Sequence, residues 1–339
     1  MKRSVAYLLG SAAIAVAGVA LARRSNYSFA GKVCLITGGS RGLGLVLARQ
    51  LCAQGGRVAL LARDRAELER ARHELASTGG DVFTVSCDLG DSAQIEGAVR
   101  SVIDHFGRLD VLINNAGIIE VGPLAHMQQR DFERAMNLHF WAPYHLIMTS
   151  LPHLRRAGEA RIVNIASIGG RLAVPHLAPY CASKFALVGL SDSMRAELAS
   201  ENIRITTVLP GTMRTGSHVN AQFKGDHSAE YAWFSAAASL PVIAMKAERA
   251  AAKILDAGRR GQPSLMMPLL TRAAVIGDAL FPNVTGRAMR LVNRFLPAPT
   301  DSSGDELRAG WDSRGDARPP RWITAMGDKA TAQNNEARP

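Results

Sequence analysis

Cysteine is scarce in this 339-residue chain. The four present, Cys34, Cys52, Cys87 and Cys181, lie singly in stretches patterned as strands or helices, never at the spacing of a metal site. They read as small core residues in a reducing compartment. The nine histidines form no pair at helical or loop spacing, so no metal is assigned. Aromatics make up only 6% of the residues, and no basic stripe is interleaved with them, which argues against a nucleic-acid partner. Acidic residues are missing from 1–32, where Lys2, Arg3, Arg23, Arg24 and Lys32 give +5. In 265–298 only Asp278 opposes Arg272, Arg287, Arg290 and Arg294, giving +3, so these two segments hold eight of the eleven net positive charges. Both are unusually apolar, and a basic rim on apolar sequence suits anionic lipid.

What is present fits one large globular domain with appendages: 47% of the residues are hydrophobic and 20% charged. Residues 4–22 carry no charge and are bracketed by Lys2-Arg3 and Arg23-Arg24. As a helix they would span roughly 28 Å, near the thickness of a bilayer core. A membrane anchor is the reading taken. The rivals are a cleaved signal peptide, because Ala20-Leu21-Ala22 meets the small-x-small rule, and a packed or interfacial helix.

From Gly31 the pattern becomes strand, turn, helix, repeated. The apolar run Lys32–Ile36 leads into Thr37-Gly38-Gly39-Ser40-Arg41-Gly42-Leu43-Gly44, and a helical pattern follows on Leu45, Leu47, Ala48 and Leu51. A glycine-rich turn between a strand and a helix aims backbone N–H groups and a helix N-terminus at a pyrophosphate. Gly38, Ser40, Arg41, Gly42, Leu43 and Gly44 are therefore candidate dinucleotide contacts. The second strand, Arg57–Ala62, ends on Arg63, where an NAD-selective site would place an acid. With Arg41 it offers two guanidiniums suited to a 2′-phosphate, which favours NADP over NAD. The third strand, Asp81–Cys87, ends on Asp88-Leu89, and the fourth, Leu109–Ile113, on Asn114-Asn115-Ala116-Gly117. A cytosolic cofactor of this kind would put the catalytic domain on the cytoplasmic side of the anchor.

The run Arg161–Ala166 reads as a buried strand and delivers Ser167 at its end. Tyr180 and Lys184 open a helical pattern four residues apart, which places both on one face. A fixed ammonium beside a phenol lowers its pKa from about 10, and a nearby hydroxyl could share a carbonyl oxygen with it. That is acid–base chemistry at a C–O centre.

Thr37-Gly-x-x-x-Gly-x-Gly44, Asp88, Asn114-Asn-Ala-Gly117, Ser167, Tyr180-x-x-x-Lys184 and Pro210-Gly211 resemble, in order and spacing, the motifs of the short-chain dehydrogenase/reductase family over about residues 31–265. The resemblance implies a doubly wound parallel α/β sheet of the Rossmann type. It implies Tyr180 as general acid/base, Ser167 as the group that polarises the substrate carbonyl, and Lys184 as the residue that acidifies the tyrosine and holds the nicotinamide ribose. Asn137, in Met-Asn-Leu-His, matches the family asparagine that holds a relay water. Asp88 and Leu89 would meet the adenine, and Asn115, Ala116 and Gly117 the adenosine ribose. Pro210, Gly211, Thr212 and Thr215 would grip the carboxamide. A homodimer through helices near 143–156 and 180–199 is a further implication.

Residues 212–240 carry Phe223, Tyr231, Trp233, Phe234 and Leu240, followed by Pro241, and read as a lid over an apolar ligand. Beyond the last strand at Ser264, residues 266–298 form an amphipathic helical extension of two helices broken by Pro282. It could lie on a membrane, on its own domain or on a subunit partner. Residues 299–339 should be largely disordered, and 1–30 form the anchor and linker. The whole reads as an anchored NADP-dependent enzyme that interconverts a carbonyl and a secondary alcohol on a steroid, retinoid or keto-lipid. The alternatives are a reductase of small soluble ketones and a tethered NADP-binding scaffold without turnover.

Overall fold

A computed structural model describes residues 27–239, 244–315 and 321–337. The proposed anchor, and Leu240 and Pro241 of the lid, lie outside them. The frame is a parallel sheet of β1 (Val33–Thr37), β2 (Arg57–Ala62), β3 (Val82–Ser86), β4 (Val111–Asn114), β5 (Ala160–Ile165), β6 (Ile203–Pro210) and β7 (Ser264–Met267). Its spatial order is β7-β6-β5-β4-β1-β2-β3. Linking these strands are α1 (Gly42–Ala53), α2 (Arg65–Ser77), α3 (Ser92–Phe106), α4 (Gln129–Met136), α5 (Ala142–Arg156), α6 (Ala178–Leu198), α7 (His227–Ser239) and α8 (Ala247–Arg260).

Every residue of β1, β4 and β5 is buried, as continuous apolar runs require when helices cover both faces of a sheet. Cys34, Ile36, Val58 and Leu60 pack into one layer against α1, α2 and α8. Val33, Leu35, Ala59 and Leu61 point the other way, into α3, α5 and the end of α6. Burying each such leucine or isoleucine stabilises by about 1.5–3 kcal/mol. The strand order reverses between β1 and β4, which opens a crevice at their carboxyl ends, the place where doubly wound sheets bind ligands.

β6 is the one central strand that the sequence reading did not anticipate. It sits between β5 and β7 and delivers Pro210 to the crevice. After β7 come α9 (Leu269–Leu280) and α10 (Pro282–Asn293), which meet at Pro282. Among the described residues Thr271, against Gly211, is the one buried on α9, and α10 buries none, so beyond that first turn the pair stands largely off the domain. Among those residues no helix is long and apolar enough to cross a membrane.

The expectation of disorder over 299–339 needs correction. Arg308–Ala309 pairs with Gln222–Phe223, which pairs in turn with Glu120–Val121. Further on, α11 (Arg321–Gln333) packs against α7. Polar contacts anchor this segment: Asn220 Nδ2 donates to the Glu336 carbonyl at 3.1 Å, and Asn334 Nδ2 to the Thr215 carbonyl at 3.2 Å. Its low hydrophobicity therefore did not mean that it stays unfolded.

Candidate active site

The crevice is built from strand ends. Thr37 closes β1, and its hydroxyl accepts from the backbone N–H groups of Asn115 (2.9 Å) and Ala116 (3.0 Å) at the end of β4. The Asn115 carboxamide donates to the carbonyls of Thr37 (2.9 Å) and Gly38 (3.2 Å), so it braces the glycine turn instead of projecting free toward a ribose. Gly38 and Gly42 hold φ of +62° and +56°, the left-handed region that glycine enters without strain. A Cβ on Gly44 would overlap the Gly38 carbonyl.

The two arginines differ. Arg41 Nη1 donates to Glu67 at 3.3 Å, and its Nε stands 3.6 Å from Glu336. Ser40 also donates to Glu67, at 2.9 Å. Arg63 is exposed at the end of β2, and its carbonyl accepts from Ser86. Asp88 turns its carboxylate onto the Gly90 N–H at 3.0 Å within its own loop, while Leu89 is buried. Leu43 is buried under the turn, and Gly117 faces His139.

At the far side of the crevice a buried amide ladder fixes α6. Asn114 Nδ2 donates to Asn164 Oδ1 at 2.7 Å, and Asn164 Nδ2 donates to Ser191 Oγ at 2.7 Å. This locks β4, β5 and α6 together and sets Tyr180 and Lys184 beside Ser167. Lys184 is 4% exposed, donates from Nζ to the Ile165 carbonyl at 3.0 Å, and sits 5.7 Å from the centre of the Tyr180 ring. Ser167 accepts from the Gly169 N–H at 3.0 Å, and its hydroxyl stands near enough to the phenol to pull its pKa down.

The electrostatics differ from the expectation for this pair. Tyr180 keeps part of its surface exposed, yet burial pushes its pKa up to about 12, and the Ser167 hydroxyl offsets only part of that. Burial also brings the Lys184 ammonium down to about 7. A dry environment penalises phenolate and ammonium alike, so here desolvation outweighs the acidifying effect of the lysine.

Asn137 is not brought into this cluster. It is exposed, at the start of a π-helical turn over Asn137–Trp141, and its carbonyl accepts from the Ala142 N–H. The extra residue in that turn faces His139 inward instead. His139 is 1% exposed; Nε2 accepts from the Ile118 N–H at 3.1 Å, and Nδ1 lies 2.8 Å from Ser183 Oγ. Since Ser183 donates onward to the Tyr180 carbonyl, Nδ1 carries the proton in this network. Burial, then the charge of Lys184, holds the ring neutral. The sequence reading missed His139; its only signal was its place two residues after Asn137.

The loop after β6 completes the crevice. Gly211 donates to the Met267 carbonyl at 2.7 Å, and Thr215 donates to Ser217 at 2.8 Å. Thr212 Oγ1 and Arg214 Nη1 are buried with no hydrogen-bond partner among the described residues. The lid aromatics mostly pack on one another: Phe223 lies 5.6 Å from Tyr231 and 5.9 Å from Phe234 between ring centres, over Val121 and Ala221.

Residues 32–224 match the model of the short chain dehydrogenase family. A dehydrogenase/reductase SDR family protein 7-like of Anopheles gambiae is 36% identical over 260 residues, which is 75% of this chain and 80% of that protein. An uncharacterized oxidoreductase of Mycobacterium tuberculosis is 36% identical over 198 residues, covering 57% of this chain and 58% of that protein. The crystal structure of a metagenomic short-chain oxidoreductase in complex with NADP is 37% identical, with a TM-score of 0.52 over 55% of this chain and 85% of that one.

Proposed function

The chain belongs to the short chain dehydrogenase family, and on that premise we propose that it is an NADP(H)-dependent oxidoreductase that reduces a carbonyl on an apolar substrate. The observation that carries this is the convergence of Ser167, Tyr180 and Lys184 at the mouth of a crevice whose other wall is a glycine turn. The residues fit a dinucleotide: the turn curls through positive φ at Gly38 and Gly42 into the first turn of α1, and Thr212 Oγ1 and Arg214 Nη1 offer unpaired buried polar atoms. The nicotinamide, when bound, supplies hydride to the substrate carbon. Ser167 and Tyr180 hold the carbonyl oxygen, and Tyr180 gives it a proton. A phenol that keeps its proton across neutral pH suits the reducing direction. Lys184 lies behind the ring, and His139 fixes the backbone of Tyr180 through Ser183. The roles given to Asp88, Leu89, Ala116, Gly117, Pro210, Gly211, Thr212 and Thr215 toward the cofactor are part of the same reading, while the Asn115 side chain shapes the glycine turn.

Arg63, exposed beside the strand end, would take the 2′-phosphate, and the metagenomic relative holds NADP. An apolar substrate is supported by the half-buried Trp233 and Phe234 of the lid and by Leu269 and Leu270, 79% and 58% exposed at the start of α9. Spectrophotometric NADPH oxidation with a ketone panel tests both points. Long-chain or polycyclic ketones should exceed short polar ones by on the order of 100-fold in kcat/KM, the value of a few buried methylenes. NADPH should be preferred to NADH, and Arg63→Asp should narrow that preference. Equal turnover of short polar ketones would return the reading to a small-ketone reductase.

The α9–α10 pair is proposed to rest on anionic lipid. Leu280, Phe281, Val284, Leu291 and Phe295 are exposed, Phe295 to 82%, beside Arg287, Arg290 and Arg294. Vesicle co-sedimentation should show binding that rises with phosphatidylserine content. Replacing the three arginines by glutamine should weaken it on the order of 100-fold, at about 1 kcal/mol per charge removed. Binding that ignores lipid charge would refute this. The proposed homodimer finds support in Trp141, Met148 and Phe185, exposed to 46%, 45% and 44% at the start of α5, on α5 and on α6.

A further inference from the structure

The segment that closes on the glycine turn comes from the other end of the sequence. The Gly42 N–H, one of the first-turn donors of α1 that a phosphate would require, donates to the Asn334 carbonyl at 2.9 Å. The Glu336 carboxylate lies against the Gly42 Cα, where a Cβ would collide with it. It accepts from Asn220 Nδ2 at 2.5 Å and stands 3.6 Å from Arg41, while only 5% of Glu336 is exposed. Asn335 Nδ2 donates to the Ser40 carbonyl at 2.9 Å, and Arg49 Nη1 donates to Asn334 Oδ1 at 2.9 Å. Asn334 also reaches the Thr215 carbonyl, so residues 334–336 bridge the two loops between which a dinucleotide would lie.

We propose that residues 331–336 form a built-in competitor for the dinucleotide, with the Glu336 carboxylate and the Asn334 carbonyl occupying the partners of its phosphates. An anion beside Arg41 and a carbonyl on the Gly42 N–H satisfy the same charge and the same donor that a phosphate oxygen would. Both cannot be satisfied at once, so cofactor entry must lift the segment away. The carboxylate also repels a phosphate that approaches from the Gly42 side. Burial pushes the Glu336 carboxyl up to about 7 against the pull of Arg41, which marks its position as poorly solvated. The inference rests on the dinucleotide reading of the crevice.

The test uses the full chain and NADPH as probe, with hydrogen exchange on the wild type and equilibrium binding on variants. Saturating NADPH should accelerate exchange of the amides from Thr331 to Glu336. Glu336→Gln should tighten NADPH binding by about tenfold, the equivalent of one charge-assisted contact. A chain stopped after Ala330 should bind at least as tightly as Glu336→Gln. Slower exchange with NADPH, or weaker binding by Glu336→Gln, would show a cover that closes over the cofactor and would overturn the proposal. If wild type and variants bind alike, only the competitor falls. If none binds NADPH, the dinucleotide reading falls and takes the competitor with it.

Discussion

Tyr180→Phe is expected to lower kcat by about 10²–10⁴-fold, the range over which a positioned proton donor contributes, while NADPH affinity stays within about twofold. The ring would remain on the first turn of α6, its centre 5.5 Å from that of the His139 ring, so the geometry of Lys184 is preserved. What disappears is the hydroxyl beside Ser167 and the proton it delivers. Stopped-flow reduction of a ketone with prebound NADPH, alongside a binding titration, separates the two effects. Retained turnover would mean that another group protonates the substrate. Loss of cofactor binding in step with turnover would instead make Tyr180 a part of the cofactor pocket.

Lys184→Met is expected to do two opposite things. Turnover should fall by on the order of 10²-fold or more, because the charge behind the phenol is lost. The melting temperature at pH 7 should rise. In the folded protein the amine sits at about 7 against an ordinary 10.5, so the unfolded chain holds that proton more firmly. Stability is therefore complete above about 10.5, is lost as pH falls toward about 7, and is level below that. Methionine fills a similar volume without a charge to desolvate, so the gain is on the order of 1–3 kcal/mol, or roughly 3–8 °C, less the bond to the Ile165 carbonyl. The advantage should vanish above pH 10.5. A variant that melts lower at pH 7 would show that the Ile165 bond outweighs the desolvation of the amine.

Much of this arrangement was legible because short motifs and strand ends coincide. Apolar runs ending on Thr37, Arg63, Asp88, Asn114 and Ser167 mark parallel strands, buried on both faces except at the edge strand β3, and their last residues fall on one rim of the sheet. What the sequence concealed depends on contacts between distant residues. The sequence reading passed over β6, although Ile203-Arg-Ile-Thr-Thr-Val-Leu-Pro210 is buried along most of its length. The inward turn of His139 follows from one extra residue in the helix at Asn137–Trp141, a register change that no apolar pattern announces. Arg41 faced a 2′-phosphate on paper, but Glu67, twenty-six positions away, holds it in the fold. The packing of 331–336 escaped notice for a related reason. It is made by amide and carboxylate contacts to backbone turns, so hydrophobicity gives no warning of it. The sign of the Tyr180 shift was missed because residue spacing conveys proximity and says nothing of how dry the neighbourhood is.

The carboxamide of Asn115 carries one more implication. By gripping the carbonyls of Thr37 and Gly38, it dictates from the next strand how tightly the loop after β1 curls. A chimera that received only residues 37–44 of a relative would import the glycines without the clamp that shapes them. Engineers who wish to graft a different coenzyme specificity onto this scaffold must move the loop and its distant clamp as a single part.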